Sequence, residues 1–426
     1  MKDSTQTNTS SNHTALSGCR VLDLTTPLGH LCGKILGDLG ADVIKIEPPA
    51  GDAGRARLPI YKDPTGERHS VFWLAYNNNK RGITLNLETA SGKELFQRMA
   101  QSADVILESY PPGYMGSLGL DYGKLSASNQ KLVYTAITPF GQTGPYCEFR
   151  AEDLEIQALS GVMSLTGYAG KAPLRISLSQ SEAWASLYGA MGTMTAYHHR
   201  QRSGEGQFVD VSAQSACVIE CAHAPFFWDY NRELSTREGE FMTGRTITGA
   251  RFRTVWPCQD GYLTFIIYGG PAGRHTNREL VKWMDEHGMA THWLKAKDWD
   301  DFDIATVTQE EIDQIEEPAA DFFKTLTKAE FFQRVLDREM LGYPLATAED
   351  ILADQQLQER GFWQELEHTE LGQRISYPGP FAQFSAGGCG LRLRAPLIGE
   401  HNEEIYVGEL GLSKEELVSL KEAGVV

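Results

Sequence analysis

No stretch of this sequence is apolar over the roughly 18 residues that a membrane-crossing helix needs, so a membrane is not expected as a partner. The N-terminus lacks the apolar core of a signal peptide. Residues 1–17 are polar and rich in Ser and Thr, and they read as a disordered leader. Cysteine gives no framework either. The seven residues, Cys19, Cys32, Cys147, Cys217, Cys221, Cys258 and Cys389, are odd in number, scattered and free of any Cys-x-x-Cys pair. That pattern argues against a disulfide scaffold or a zinc site and fits a reducing, cytoplasmic compartment. No metal ligand set is expected. Positive charge is scarce: 39 Lys and Arg face 56 Asp and Glu, a net charge of −17. Nucleic acid and anionic membranes are poor partners for such a chain, and an anionic ligand has to be met by local cations. No Gly-x-Gly-x-x-Gly follows the first strand, so a nicotinamide dinucleotide is not indicated.

What is present is enough for a large core. The chain has 426 residues, 41% apolar and 22% charged, which predicts two domains. Cys19 to Thr25 reads as a buried strand. Gly29 to Gly40 has apolar residues at helical spacing and a glycine stop. Ala41 to Glu47 reads as a second strand, ended by Pro48-Pro49. The pattern recurs. Gly82 to Leu87 alternates as a strand, and Ser91 to Ala100 reads as a helix opened by a Ser91/Glu94 capping box. Ala103 to Glu108 and Leu132 to Ile137 are further strands. Repeated strand–helix–strand units predict an α/β fold with a Rossmann-like doubly wound sheet. A long helix is expected over 181–200, followed by a turn and the strand 207–211.

After about residue 225 the segments shorten and aromatic residues become frequent. A hairpin turning at Asp260-Gly261 and a helical region over 277–335 suggest a smaller α+β domain. The boundaries read as 18–225 for the large domain, 226–345 for the small one, and 346–426 for a return to the large domain with a C-terminal helix. Gly269 to Gly273 reads as a mobile loop or a plain turn. The run Phe226-Phe227-Trp228-Asp229-Tyr230 reads as domain packing or as the lining of an acyl pocket.

Five stretches, in order along the chain, resemble the class III coenzyme A-transferase and acyl-CoA racemase superfamily, the CaiB/BaiF family. They are Leu39-Gly-Ala-Asp-Val-Ile-Lys-Ile-Glu-Pro-Pro, Asn79-Lys-Arg-Gly-Ile-Thr-Leu-Asn-Leu, Phe140-Gly-Gln-Thr-Gly-Pro, Gln157-Ala-Leu-Ser-Gly-Val-Met and Ala395-Pro-Leu-Ile-Gly-Glu-His-Asn-Glu-Glu-Ile. The resemblance implies an interlocked ring-like dimer, either a homodimer or a heterodimer with a related family member. It also implies that an acyl-CoA thioester and a free carboxylic acid are the substrates, with no cofactor bound covalently before turnover.

The resemblance places Glu182 where the family carries a nucleophilic Asp at the start of the long helix. A carboxylate there attacks a thioester, and the helix N-terminus favours the anion. The competing reading makes Glu182 a capping-box partner of Ser179. By matching position, the CoA site is expected at Leu85, Asn86 and Leu87 for the adenine and at Ser109 and Tyr110 for the pantetheine. Lys80, Arg81 and Arg150 are expected at the phosphates, since cations there make charge-assisted hydrogen bonds. His30, Glu152 and Asp153 are expected to line the site. The racemase branch has a His-Asp pair where this chain has Glu152-Asp153, which argues against a racemase. Gly29-His30-Leu31, Pro48 and Ser117 also depart from the family pattern. Three readings of function follow: a transferase acting through Glu182; the non-catalytic subunit of a heteromer of the benzylsuccinate-activating type, whose partner carries the Asp; or a lyase or racemase acting on acyl-CoA.

Overall fold

The computed structural model describes residues 14–426. Most of the expected leader lies outside the described residues, and Thr14–Ser17 form a turn with Leu16 buried. The chain divides into two compact units. The first comprises residues up to Val162, Ile176–Phe226 and Gln356–Val426; the second comprises Met163–Arg175 and Phe227–Gln355.

The first unit is built on six parallel strands: β1 (Arg20–Leu24), β2 (Asp42–Glu47), β3 (Lys80–Thr84), β4 (Val105–Glu108), β5 (Val133–Thr138) and β6 (Phe208–Ser212). Their order is β3-β2-β1-β4-β5-β6. Every neighbouring pair is parallel. This is the doubly wound arrangement, with the strand order reversing between β1 and β4. β3 stops at Thr84, short of the expected Leu87: Leu85 still donates to Glu47 of β2, but the Asn86 N–H turns to Val425 O.

Alternation along the strands sends two kinds of side chain to the two faces. On one face Leu22, Leu24, Ile44, Ile46 and Ile106 pack against Leu95, Phe96 and Met99 of helix α2 (Ala90–Ser102), and the C-terminal residues Ile405, Tyr406 and Leu417 complete this core. The cap of α2 is Thr89, which accepts from Gly92 N, so the Ser91/Glu94 capping box is not formed; the helix begins one residue before Ser91. The other face carries α1 (His30–Asp38) and α4 (Gln180–Ser203). α4 meets the sheet through small residues. A Cβ on Gly189 would lie 2.7 Å from Ile137 Cδ1, so glycine lets the helix approach without moving that side chain.

On this second face the three strands β1, β2 and β3 bring charged residues into the interior. Asp23 is register partner of Lys45, and Lys80 opens β3 beside them. All three are fully buried. Lys80 Nζ lies 2.8 Å from Asp23 Oδ2 and also donates to His30 O and Asn77 Oδ1. Burial would raise the Asp23 carboxyl, but the Lys80 and Lys45 ammoniums hold it below its ordinary value. α1 crosses this pair at Gly33, where a Cβ would lie 2.2 Å from Asp23 Oδ2.

The second unit has its own core. Trp256, Phe265, Trp283, Phe322, Phe323 and Phe331 pack together with several edge-to-face contacts. The predicted hairpin forms between Val255–Cys258 and Gly261–Thr264, but its turn is Gln259-Asp260, one residue earlier than the expected Asp260-Gly261, because Gly261 already pairs with Cys258. Gly269–Gly273 is neither a loop nor a plain turn: Gly269 caps the helix Gly270–Glu286, and the remaining residues form its first turn. In the run 226–230, Phe226, Phe227, Trp228 and Tyr230 are exposed.

Replacing Lys80 by Met should strand Asp23 in the interior and cost about 3–5 kcal/mol. Urea unfolding checks this. A change below 1 kcal/mol, as for an exposed lysine, would contradict the buried ion pair.

Candidate active site

A ligand in a doubly wound sheet sits beyond the strand C-termini, where the strand order reverses. In this chain that place is a cleft of about 970 Å³, within the range of small-molecule sites. Its floor is made by the loops that follow β1 and β4. Thr26 donates its backbone N–H to Ser109 Oγ at 2.7 Å, and their hydroxyls lie 2.8 Å apart. These bonds fasten the two loops across the switch point.

One wall is the start of α4. Asp153, the first residue of helix α3 (Asp153–Leu159), accepts from Ser181 N at 3.0 Å and Ser181 Oγ at 2.7 Å through the same oxygen. Its other oxygen accepts from Gln157 Nε2 at 2.6 Å, and Gln157 Oε1 accepts from Ile176 N. Asp153 therefore caps α4 from a neighbouring helix. It satisfies an N–H that would otherwise be unpaired and fixes where the first turn of α4 begins.

Glu182 lies in that first turn and lines the cleft. The expected capping box with Ser179 does not form. Instead Glu182 Oε2 is 2.7 Å from Arg57 Nη1, and Ser179 Oγ accepts from Arg57 Nη2 at 2.9 Å. The competing attraction is electrostatic: a full guanidinium charge outweighs a neutral backbone N–H. Burial raises the Glu182 carboxyl above its ordinary value, with Arg57 opposing the shift and Asp153 and Glu152 adding to it.

Arg57 escaped the sequence reading, and its position is set by the buried charges beneath it. Asp52 caps the short turn Ala53–Ala56 by accepting from Gly54 N, and Arg57 follows that turn directly. Asp52 Oδ2 is 3.2 Å from Lys45 Nζ, and Oδ1 is 3.4 Å from His30 Nε2. Arg55 binds Glu47 through both carboxylate oxygens and lies over the Trp73 ring. The Arg57 guanidinium rests 4.3 Å from the Phe72 ring centroid. The only signal in the sequence was a pair of arginines two residues apart after Gly51-Asp52, and nothing there tied them to a residue 125 positions later.

Of the residues expected from sequence, Ser109, Tyr110, Arg150, Glu152, Asp153 and Glu182 all line this one cleft. Arg150 is exposed, and among the described residues no carboxylate lies within ion-pairing distance of it. The remaining residues do not line it. Lys80 is corrected to an internal cation, since no part of it reaches solvent to meet a phosphate. Arg81 is corrected to a clamp: it pairs with Asp42, Glu404 and Glu409 and ties the C-terminal segment to the sheet edge. Leu85 and Leu87 are core residues, and the Asn86 N–H is taken by Val425 O. His30 does not face the cleft. It opens α1 fully buried, touching Asp52 and Asn77.

The six-stranded parallel sheet with its cleft at the switch point, where a partly buried carboxylate faces a paired guanidinium, defines a Rossmann-type α/β protein. The model of CoA-transferase family III matches residues 16–402, and the chain belongs to that family. It is 36% identical over 408 residues to the succinyl-CoA:(R)-benzylsuccinate CoA-transferase subunit BbsE of Thauera aromatica, covering 96% of this chain and 97% of that protein. It is 29% identical to a formyl-CoA:oxalate CoA-transferase of Streptomyces coelicolor, covering 97% and 99%. Among solved structures, a CaiB/BaiF family protein from Brucella suis superposes with a TM-score of 0.78 at 27% identity, over 93% of this chain and 99% of that one. No described helix is long and apolar enough to cross a membrane.

Burial lowers the His30 pKa to about 4, against the pull of Asp52. The unfolded chain takes up that proton near pH 6.5, so the contribution of neutral His30 to stability is complete above pH 6.5 and lost as the pH falls towards 4. The shift corresponds to roughly 3 kcal/mol. Urea midpoints measured across that window should show a steeper pH dependence in the wild type than in His30→Asn. Equal slopes would contradict a neutral buried His30.

Proposed function

We propose that this chain transfers coenzyme A between an acyl-CoA thioester and a carboxylic acid, with Glu182 as the nucleophile. One observation carries the reading: Glu182 faces the switch-point cleft paired with Arg57 instead of capping its own helix. A Glu182 oxygen attacks the thioester carbonyl, the C–O bond forms, the C–S bond breaks, and CoA leaves as thiolate. The thiolate then attacks the Glu182 carbonyl of the anhydride, giving a glutamyl-CoA thioester and releasing the donor acid as its carboxylate. The acceptor carboxylate repeats these steps in reverse. Two easier steps replace one hard one, and no proton transfer is needed at any stage. The relatives' names point to dicarboxylic acids, benzylsuccinate and oxalate. The unpaired Arg150 in the cleft suits a second carboxylate or a CoA phosphate.

A second reading is supported by the relative that is itself named a subunit. On it, this chain binds substrate or scaffolds a related chain that carries the Asp. Either way, we propose a partner of the same family. β6 pairs on only one side among the described residues, and Met191, Ile219 and Phe208 are exposed around the groove beside it. An open edge with an apolar patch is a surface that proteins normally cover.

The test is to incubate the purified chain with succinyl-CoA, quench with hydroxylamine and map the Glu182 peptide by mass spectrometry. A hydroxamate on Glu182 is expected, increasing with pH through a midpoint above the ordinary carboxylate value. Glu182→Gln should remove the label, and Glu182→Asp should slow labelling about 100-fold through a displacement of ~1 Å. Absence of the label in the wild type, with labelling of an Asp in a co-purified partner, would decide for the second reading.

A further inference from the structure

The charge on Glu182 does not survive its own reaction, and this has a consequence for Arg57. In the resting chain the two make an ion pair at 2.7 Å. Once Glu182 is an anhydride it is uncharged and the negative charge is on the CoA thiolate; once it is a thioester the charge has passed to the acid released beside it. The guanidinium does not leave with it. Ser179 Oγ holds Nη2, the Phe72 ring supports the guanidinium face, and the turn capped by Asp52 fixes its base. Those contacts do not depend on the state of Glu182. The Arg57 side chain is 29% exposed, so it is open to the cleft it lines.

We propose that Arg57 is the binding site for the free carboxylate of the acid substrate. It exchanges the Glu182 carboxylate for that of the departing donor acid, and then for that of the incoming acceptor. The inference rests on Glu182 being the nucleophile and adds a specific role to it. Over each complete half-reaction one carboxylate is made neutral as another becomes free, so a single guanidinium serves Glu182 in the resting chain and the free acid once Glu182 carries CoA. The exchange also orders the reaction: the free acid competes with Glu182 in the resting chain and meets a vacant guanidinium only after Glu182 has reacted. No oxidant, reductant or proton donor is required.

The neutral state can be imitated without catalysis. Glu182→Gln removes the competing charge and keeps the shape. With succinate as the probe, calorimetry on the full chain should show binding at least about tenfold tighter in Glu182→Gln than in the wild type. The gain should vanish in Glu182→Gln/Arg57→Ala and be partly kept in Glu182→Gln/Arg57→Lys, which retains the cation and guards against a loss caused by misfolding. A merely structural Arg57 would not make succinate affinity depend on the charge at 182. The proposal is overturned if Glu182→Gln binds succinate no more tightly than the wild type, or if the Arg57→Ala double variant keeps the gain. Failure of hydroxylamine labelling in the wild type would instead count against the nucleophile, and the binding comparison would stand independently of it.

Discussion

The ion pair between Lys45 and Asp52, 3.2 Å apart in the interior, connects the sheet to the chemistry. Lys45 belongs to β2, and Asp52 caps the turn that ends in Arg57. Burying charges is costly, and such a pair stabilises only when every member is matched. Here the matching extends to neighbours: Asp23 with Lys80, Asp52 with both Lys45 and His30, and Glu47 with Arg55. His30 stays neutral within this set, so it adds no charge that would need a partner. The set acts as a rigid floor, and Arg57 stands on it.

Glu182 is placed by a separate device. Asp153 caps α4 from outside the helix, which releases Ser179 and Glu182 from the capping box their spacing would allow. Both then turn to Arg57. The result is a partly buried carboxylate whose desolvation raises its pKa while a guanidinium limits the rise. A carboxylate nucleophile benefits from both effects. Desolvation makes the anion more reactive, and the cation offsets part of the rise in pKa that desolvation brings.

Much of this was legible in the sequence, because its signals were local. Short apolar runs at 19–25, 41–47, 103–108 and 132–137 and the alternating run 82–87 marked strands, and helical spacing between them marked the crossovers. The residues at the lips of the cleft came from the family resemblance. Ser109 and Tyr110 come straight after β4, and Glu182 opens the helix that packs beside them. Long-range pairing was not legible. Lys80 and Arg81 stand next to each other in one strand, so alternation sends one to the interior and the other to the edge; the sequence could not say which, or that carboxylates awaited both. The Ser179/Glu182 spacing was a true local signal that a distant arginine overrode.

The claim at the centre of this account is that a Glu182 oxygen bonds to the acyl carbon during transfer. Succinate carrying heavy oxygen in its carboxylates tests this directly. After turnover with an unlabelled acyl-CoA, the Glu182 peptide is isolated and weighed. The account predicts that heavy oxygen is retained on Glu182, because the bridging atom of the acceptor anhydride stays with the enzyme when CoA departs with the acyl group. Transfer of CoA with no heavy oxygen on Glu182 would contradict it.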